Sequence, residues 1–136
     1  MSEITEVRNF SFKVGQVLNV TGVPTSRFSI NVGHSEDDIA LHVDVRFDHG
    51  NSNEVVFNSC HSGTWHKDHI LAKSFPFNYD KNYKVSITFT KEKFFVTLPD
   101  KSVTDFPNRH GYEMYNLIFL KAKVKVHGIE IIDQSG

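Results

Sequence analysis

The run Ile39-Ala40-Leu41-His42-Val43-Asp44-Val45-Arg46-Phe47 alternates apolar and polar side chains with the two-residue period of a β-strand. In an extended chain Leu41, Val43, Val45 and Phe47 share one face and can pack a core, while His42, Asp44 and Arg46 share the other. An imidazole, a carboxylate and a guanidinium on one sheet face form a row of planar hydrogen-bonding groups. The plain alternative is the solvated face of a half-buried strand. Trp65, the only tryptophan, favours a site: it stands seven residues after Asn58 in a Gly63-Thr64-Trp65 turn. Its neighbours His61, Ser62, His66, Lys67 and Asp68 are polar, which predicts a ring with an exposed face. A pyranose needs such a set, because planar polar groups distinguish axial from equatorial hydroxyls and an aromatic face covers the apolar C–H patch. His42, Asp44, Arg46 and Asn58 supply the first, and Trp65 the second.

Other chemistries fit these residues less well. Asp44 and Asp48 share strand parity and could be read as a glycosidase pair. Arg46, next along the same face, would lower the Asp44 pKa and spoil a general acid, so no enzymatic activity is expected. Eight histidines invite a metal reading, above all His61, His66 and His69. Their spacing has neither a paired cysteine nor a helical i, i+4 placement, and the expectation is no metal and no other cofactor. Cys60 has no cysteine partner and no nucleophile motif around it, and reads as a small strand or loop residue.

These residues need elements to position them, and the vocabulary is that of strands. Val and Ile together number 24 and Phe 12, against 11 for Ala, Leu and Met combined. Alternation recurs at 8–14, 16–21, 27–32, 39–47, 54–58, 83–90, 94–98, 102–106, 116–120 and 123–132. Turn-forming clusters at 22–26, 33–38, 48–53, 77–81, 99–101 and 107–111 separate many of these runs. The expected fold is all-β, an antiparallel sandwich of jelly-roll type. One segment, 112–121, could instead form a short amphipathic helix through Tyr112, Tyr115, Ile118 and Phe119, but its aromatic and branched residues favour a strand. In the last strand Val124 and Val126 differ in parity from Ile129 and Ile131, and Gly128 between them predicts a β-bulge.

The 136 residues fit one domain, 1–136. A formal net charge of −1, with 15 basic and 16 acidic residues interspersed, provides no phosphate-seeking face, so no nucleic acid is expected as partner. No apolar run approaches the ~20 residues of a membrane-spanning helix, and no membrane insertion is expected. One cysteine excludes an internal disulfide and suits a reducing compartment. The N-terminal MSEITEVRNF lacks the pattern of a signal peptide, which predicts cytoplasmic synthesis and leaves the sequons at Asn9 and Asn19 without glycan.

The chain resembles the galectins, the β-galactoside-binding lectins, and among them the prototype single-domain galectins of fish, including the congerins. The resemblance runs from Phe12-Lys13-Val14-Gly15-Gln16 and Phe28-Ser29-Ile30-Asn31-Val32-Gly33 through Leu41 to Phe47 and Val56-Phe57-Asn58-Ser59. It continues through Trp65, Phe75-Pro76-Phe77 and Ile87-Thr88-Phe89 to Phe106-Pro107-Asn108-Arg109. It implies a jelly-roll sandwich of five- and six-stranded sheets without metal or cofactor, and a homodimer made through terminal strands whose two sites can agglutinate. It also implies lactose-like glycans of glycoproteins or glycolipids as partners, and export by non-classical secretion. His42 and Arg46 would bind the axial O4 of galactose, Asn58 its O6 and Trp65 its apolar face. Ser29, His49 and Asp68 complete the expected carbohydrate-binding set with Asp44.

Three departures stand out. Asp44 replaces the usual Asn, Asp68 stands where a Glu is expected, and Ile70 where an Arg is expected, with one extra residue between Trp65 and Phe75. An ionised Asp44 would hold the Arg46 guanidinium and compete for its donors, while Asp68 would bridge Arg46 to the sugar less well than Glu. Each lost charged hydrogen bond would cost ~1.5–3 kcal/mol, so weakened or shifted specificity is expected. A galectin-fold protein with a structural or protein-interaction role, or a lectin for a non-galactose ligand such as mannose, is the alternative.

Overall fold

The computed structural model describes residues 3–49, 52–122 and 125–134. Among them the chain forms twelve strands and no helix: β1 (Glu3–Lys13), β2 (Gln16–Val23), β3 (Phe28–Ser35), β4 (Asp38–His49), β5 (Ser52–His61), β6 (Thr64–Trp65), β7 (Ile70–Leu71), β8 (Tyr83–Phe89), β9 (Lys93–Thr97), β10 (Val103–Pro107), β11 (Met114–Ala122) and β12 (Lys125–Asp133). One sheet runs β1-β11-β3-β4-β5, with the two short strands β6 and β7 both paired to the outer edge of β5. The other runs β10-β9-β8-β2-β12. The expected six- and five-stranded sheets are present, the larger counting seven because its last strand is broken into two pieces. All pairings are antiparallel, and both terminal strands, β1 and β12, lie at sheet edges.

Alternation explains the sandwich. Phe28, Ile30 and Val32 of β3, Leu41, Val43 and Val45 of β4, and Val55 and Phe57 of β5 pack inward against Leu18, Val20, Val85, Ile87, Phe89, Phe94 and Val96 of the smaller sheet. Each large apolar side chain removed from water contributes roughly 1.5–3 kcal/mol. The segment 112–121 takes no helical turn because β11 is paired on both edges, to β1 and to β3, with Ile118 and Leu120 in the core. The register of β12 against β2 shifts between Val126 and Gly128, and this bulge brings Val126, Ile129 and Ile131 onto the same core. Val124 lies outside the described residues.

The turns are tighter than alternation predicts. β3 continues to Ser35 and β4 begins at Asp38, so the expected 33–38 loop shrinks to a two-residue connection. Gly33 makes this possible: a Cβ there would collide with the Asp38 carbonyl and crowd the Ile39 Cα.

The outer face of the larger sheet is unusual for a surface. Ser29, Asn31 and Asp44, on the opposite parity to the core residues, are also buried. Buried polar groups require partners, and the partners of these three shape that face into a groove.

Candidate functional site

Strand register assembles the row. Across β3, β4 and β5, Asn31 lies opposite His42 and His42 opposite Asn58; one row along, Ser29 lies opposite Asp44 and Asp44 opposite Val56; further on, Arg46 lies opposite Glu54. Two-residue alternation then turns His42, Asp44, Arg46, Ser29 and Asn58 toward one groove.

The hydrogen bonds orient the His42 ring. The Phe119 carbonyl can only accept, so the Asn31 group 3.2 Å from it is the amide Nδ2, which also donates to Ser29 Oγ at 3.1 Å. Asn31 Oδ1 therefore faces His42 Nδ1 at 2.5 Å and accepts a hydrogen bond from its N–H. In the neutral ring Nε2 then carries a lone pair, 3.7 Å from Asp44 Oδ2.

Asp44, only 1% exposed, is held by two guanidiniums. Arg27 grips it in a fork, Nε to Oδ1 at 3.1 Å and Nη2 to Oδ2 at 2.6 Å, and Arg46 Nε donates to Oδ2 at 2.8 Å. Burial alone would raise the Asp44 pKa, but the hydrogen bonds from Arg27 and Arg46 outweigh it and hold the carboxyl well below the usual range. Arg46 Nη1 also stands 3.7 Å from Glu54 Oε1. With Nε committed to Asp44, the η nitrogens are the donors that Arg46 can offer a ligand.

A hairpin places Trp65. Ser62 and Gly63 both have positive φ, 50° and 82°, the signature of a two-residue turn that matches strand twist, and Gly63 N–H ties the turn to the Asp37 carbonyl at 2.9 Å. Trp65 then pairs with Cys60, is 47% exposed, and sets its ring 4.6 Å from that of His42. Asn58 spends one Nδ2 hydrogen on the His66 carbonyl at 3.0 Å, while its Oδ1 accepts from the Ser59 N–H and from Arg109.

The result is a half-open groove of about 690 Å³, with Ser29, His42, Asp44, Arg46, Asn58 and Trp65 in its wall. Six of the eight expected residues are thus brought together. Asp68 is not among them: its carboxylate makes no ion pair with Arg46, its carbonyl accepts from Arg109 Nη2, and Glu54 takes the place beside Arg46. The His49 and Asp48 side chains lie outside the described residues.

Ile70, where the family resemblance leads one to expect an Arg, turns away from the groove. It pairs with Phe57 and packs on the main core, so this position offers nothing to the groove, and exposed Leu71 beside Val56 has the opposite parity. Residues the sequence reasoning missed are Arg27, Asn31, Glu54 and Lys121. Arg27, Ser29 and Asn31 share the polar parity of the alternating run 27–32, but parity alone does not show that Arg27 reaches across to Asp44 on the next strand.

The architecture is that of a lectin. The profile of the galactoside-binding lectin family matches residues 4–131, and the chain belongs to that family, the galectins. It is 40% identical over 131 residues to congerin-2 of Conger myriaster, covering 93% of this chain and 96% of that one. Its structure is similar to that of congerin II liganded with lactose and MES, with a TM-score of 0.89 at 38% identity over 96% of this chain and all of the other. It is also similar to CG-16, a homodimeric agglutinin from chicken liver, with a TM-score of 0.87 at 30% identity over 96% and 100% of the two chains.

Asp44→Asn tests the electrostatic frame. Because the folded pKa is depressed below the unfolded value of about 3.9, the stabilisation is complete above pH ~4 and is lost as pH falls through the folded value. Urea titrations should show the variant less stable by about 2 kcal/mol at pH 7, with the gap narrowing at pH 3. An equal gap at both pH values would contradict the ion-pair assignment.

Proposed function

We propose that this chain is a non-enzymatic β-galactoside-binding lectin whose sugar site is the groove over β3, β4 and β5. The observation that carries the reading is the convergence of His42, Arg46, Asn58 and Trp65 on one groove wall, with every polar group pre-positioned by a protein partner. His42 Nε2 accepts from the axial O4 hydroxyl and an Arg46 η nitrogen donates to the same oxygen. The second Nδ2 hydrogen of Asn58 serves O6, and the exposed Trp65 face covers the C–H patch of the ring. The lactose ligand of the similar congerin II supports this choice of sugar. A glycosidase mechanism lacks support, since Asp44 is neutralised by two guanidiniums and cannot act as a proton donor near neutral pH.

The departures set the affinity. Asp44 uses up one donor of Arg46, and neither Asp68 nor Ile70 lines the groove, so fewer groups reach the second saccharide. Binding of lactose-like ends of glycoproteins or glycolipids is weaker than a site with those donors would give. Residues 1–136 act as one carbohydrate-recognition domain.

Trp65→Ala should lower lactose affinity several-fold to a hundredfold in isothermal titration and leave the melting temperature nearly unchanged, because the ring is half exposed. Undiminished lactose binding would place the site elsewhere. A wild-type preference for a mannoside over lactose would favour the alternative ligand.

The chain is also proposed to form a homodimer. Edge strands β1 and β12 offer unpaired backbone for a second copy, and the similar chicken agglutinin is a homodimer. Sedimentation equilibrium at micromolar concentration should give twice the mass of one chain, whereas a single-chain mass would overturn this part.

A further inference from the structure

A second cluster lies on the other side of Trp65. The Ile39–Cys60 pair of β4 and β5 puts the next residues outward, Asp38 and His61, beside each other at the sheet end, with His61 Nδ1 3.7 Å from Asp38 Oδ1. His110, in the connection between β10 and β11, brings Nε2 to within 2.6 Å of the same carboxylate oxygen. The two imidazoles cross edge-on with ring centroids 5.6 Å apart. One donor atom from each residue falls within 4.8 Å of the other two.

We propose that Asp38, His61 and His110 form a binding site for a divalent transition metal of the zinc or copper type. Two imidazole nitrogens and one carboxylate oxygen suit such ions, and His₂-carboxylate sets leave a fourth position open. Metal–ligand bonds of ~2.0–2.2 Å place tetrahedral ligand atoms roughly 3.3–3.5 Å apart. The Asp38–His110 contact must open slightly and the His61 contacts close slightly, and the mobility needed is available because the His61 side chain is 82% exposed. His110 is the fixed wall. Its side chain is only 6% exposed, and its loop is anchored by Asn108, whose amide donates to the Lys91 and Tyr112 carbonyls and whose oxygen accepts from Tyr115 Oη.

The surroundings give the open position somewhere to face. His61 and His110 line a separate half-open cavity of about 740 Å³ that also includes His66, Arg109, Tyr112 and the flank of Trp65. A metal held there would sit beside the sugar groove but use none of its polar residues, so metal and lactose binding are separable. The site also differs from the histidine set that the sequence suggests, because His66 and His69 are not members and two of the three ligands come from distant elements.

The test uses the full chain stripped with EDTA and titrated with zinc chloride in a calorimeter, with copper quenching of Trp65 fluorescence as a second readout. One zinc ion per chain is expected, with affinity falling at least tenfold in His61→Ala and in Asp38→Asn, and unchanged in His66→Ala. His61 is exposed, so its variant keeps the fold; lactose affinity measured on the same sample verifies this. His110→Gln should behave like His61→Ala if it folds, and His61→Ala decides the matter if it does not. Absence of zinc binding at 1:1 stoichiometry, or wild-type zinc affinity in His61→Ala, would overturn the proposal. Absence of lactose binding in the wild-type chain with zinc binding intact would instead count against the sugar groove.

Discussion

A carboxylate buried in a sheet face is the constraint on which this site depends. Asp44 is almost wholly removed from water, and leaving such a charge unpaired costs several kcal/mol. Arg27 and Arg46 both answer it, and in doing so they lose their own freedom: each guanidinium is tied to the Asp44 carboxylate in the wall of the groove. The Asn usual at this position in galectins could offer no such charge pairing.

The rest of the groove obeys the same logic of orientation by protein partners. The Phe119 carbonyl orients Asn31, Asn31 orients His42, and His42 in turn packs against Trp65. Each step removes an alternative conformer or tautomer, so little ordering cost remains when a ligand arrives. A rigid polar pocket whose buried carboxylate is already paired suits recognition of hydroxyl groups and not bond cleavage.

Much of this was legible in the chain. Alternation through 39–47 predicted the strand, its core face and its polar face together, and Gly128 marked the bulge that the final strand makes. What alternation could not reveal was contact between elements. Arg27 reaches Asp44 from just outside the neighbouring strand, and Asp38, His61 and His110 meet only when three connections are folded together. β6 and β7, two residues each, are too short to show any period. Their placement packs the Ile70 side chain against the core, away from the groove.

A galactoside bound on the face built around Asp44 must perturb the nuclei that line it. Two-dimensional ¹⁵N–¹H spectra recorded during lactose titration test it directly. The Trp65 indole and the Arg46 guanidinium should shift, with the amides of His42 and Asn58 moving in step and a mannoside having little effect. No shift at millimolar lactose, or shifts confined to the β10–β11 connection, would contradict it.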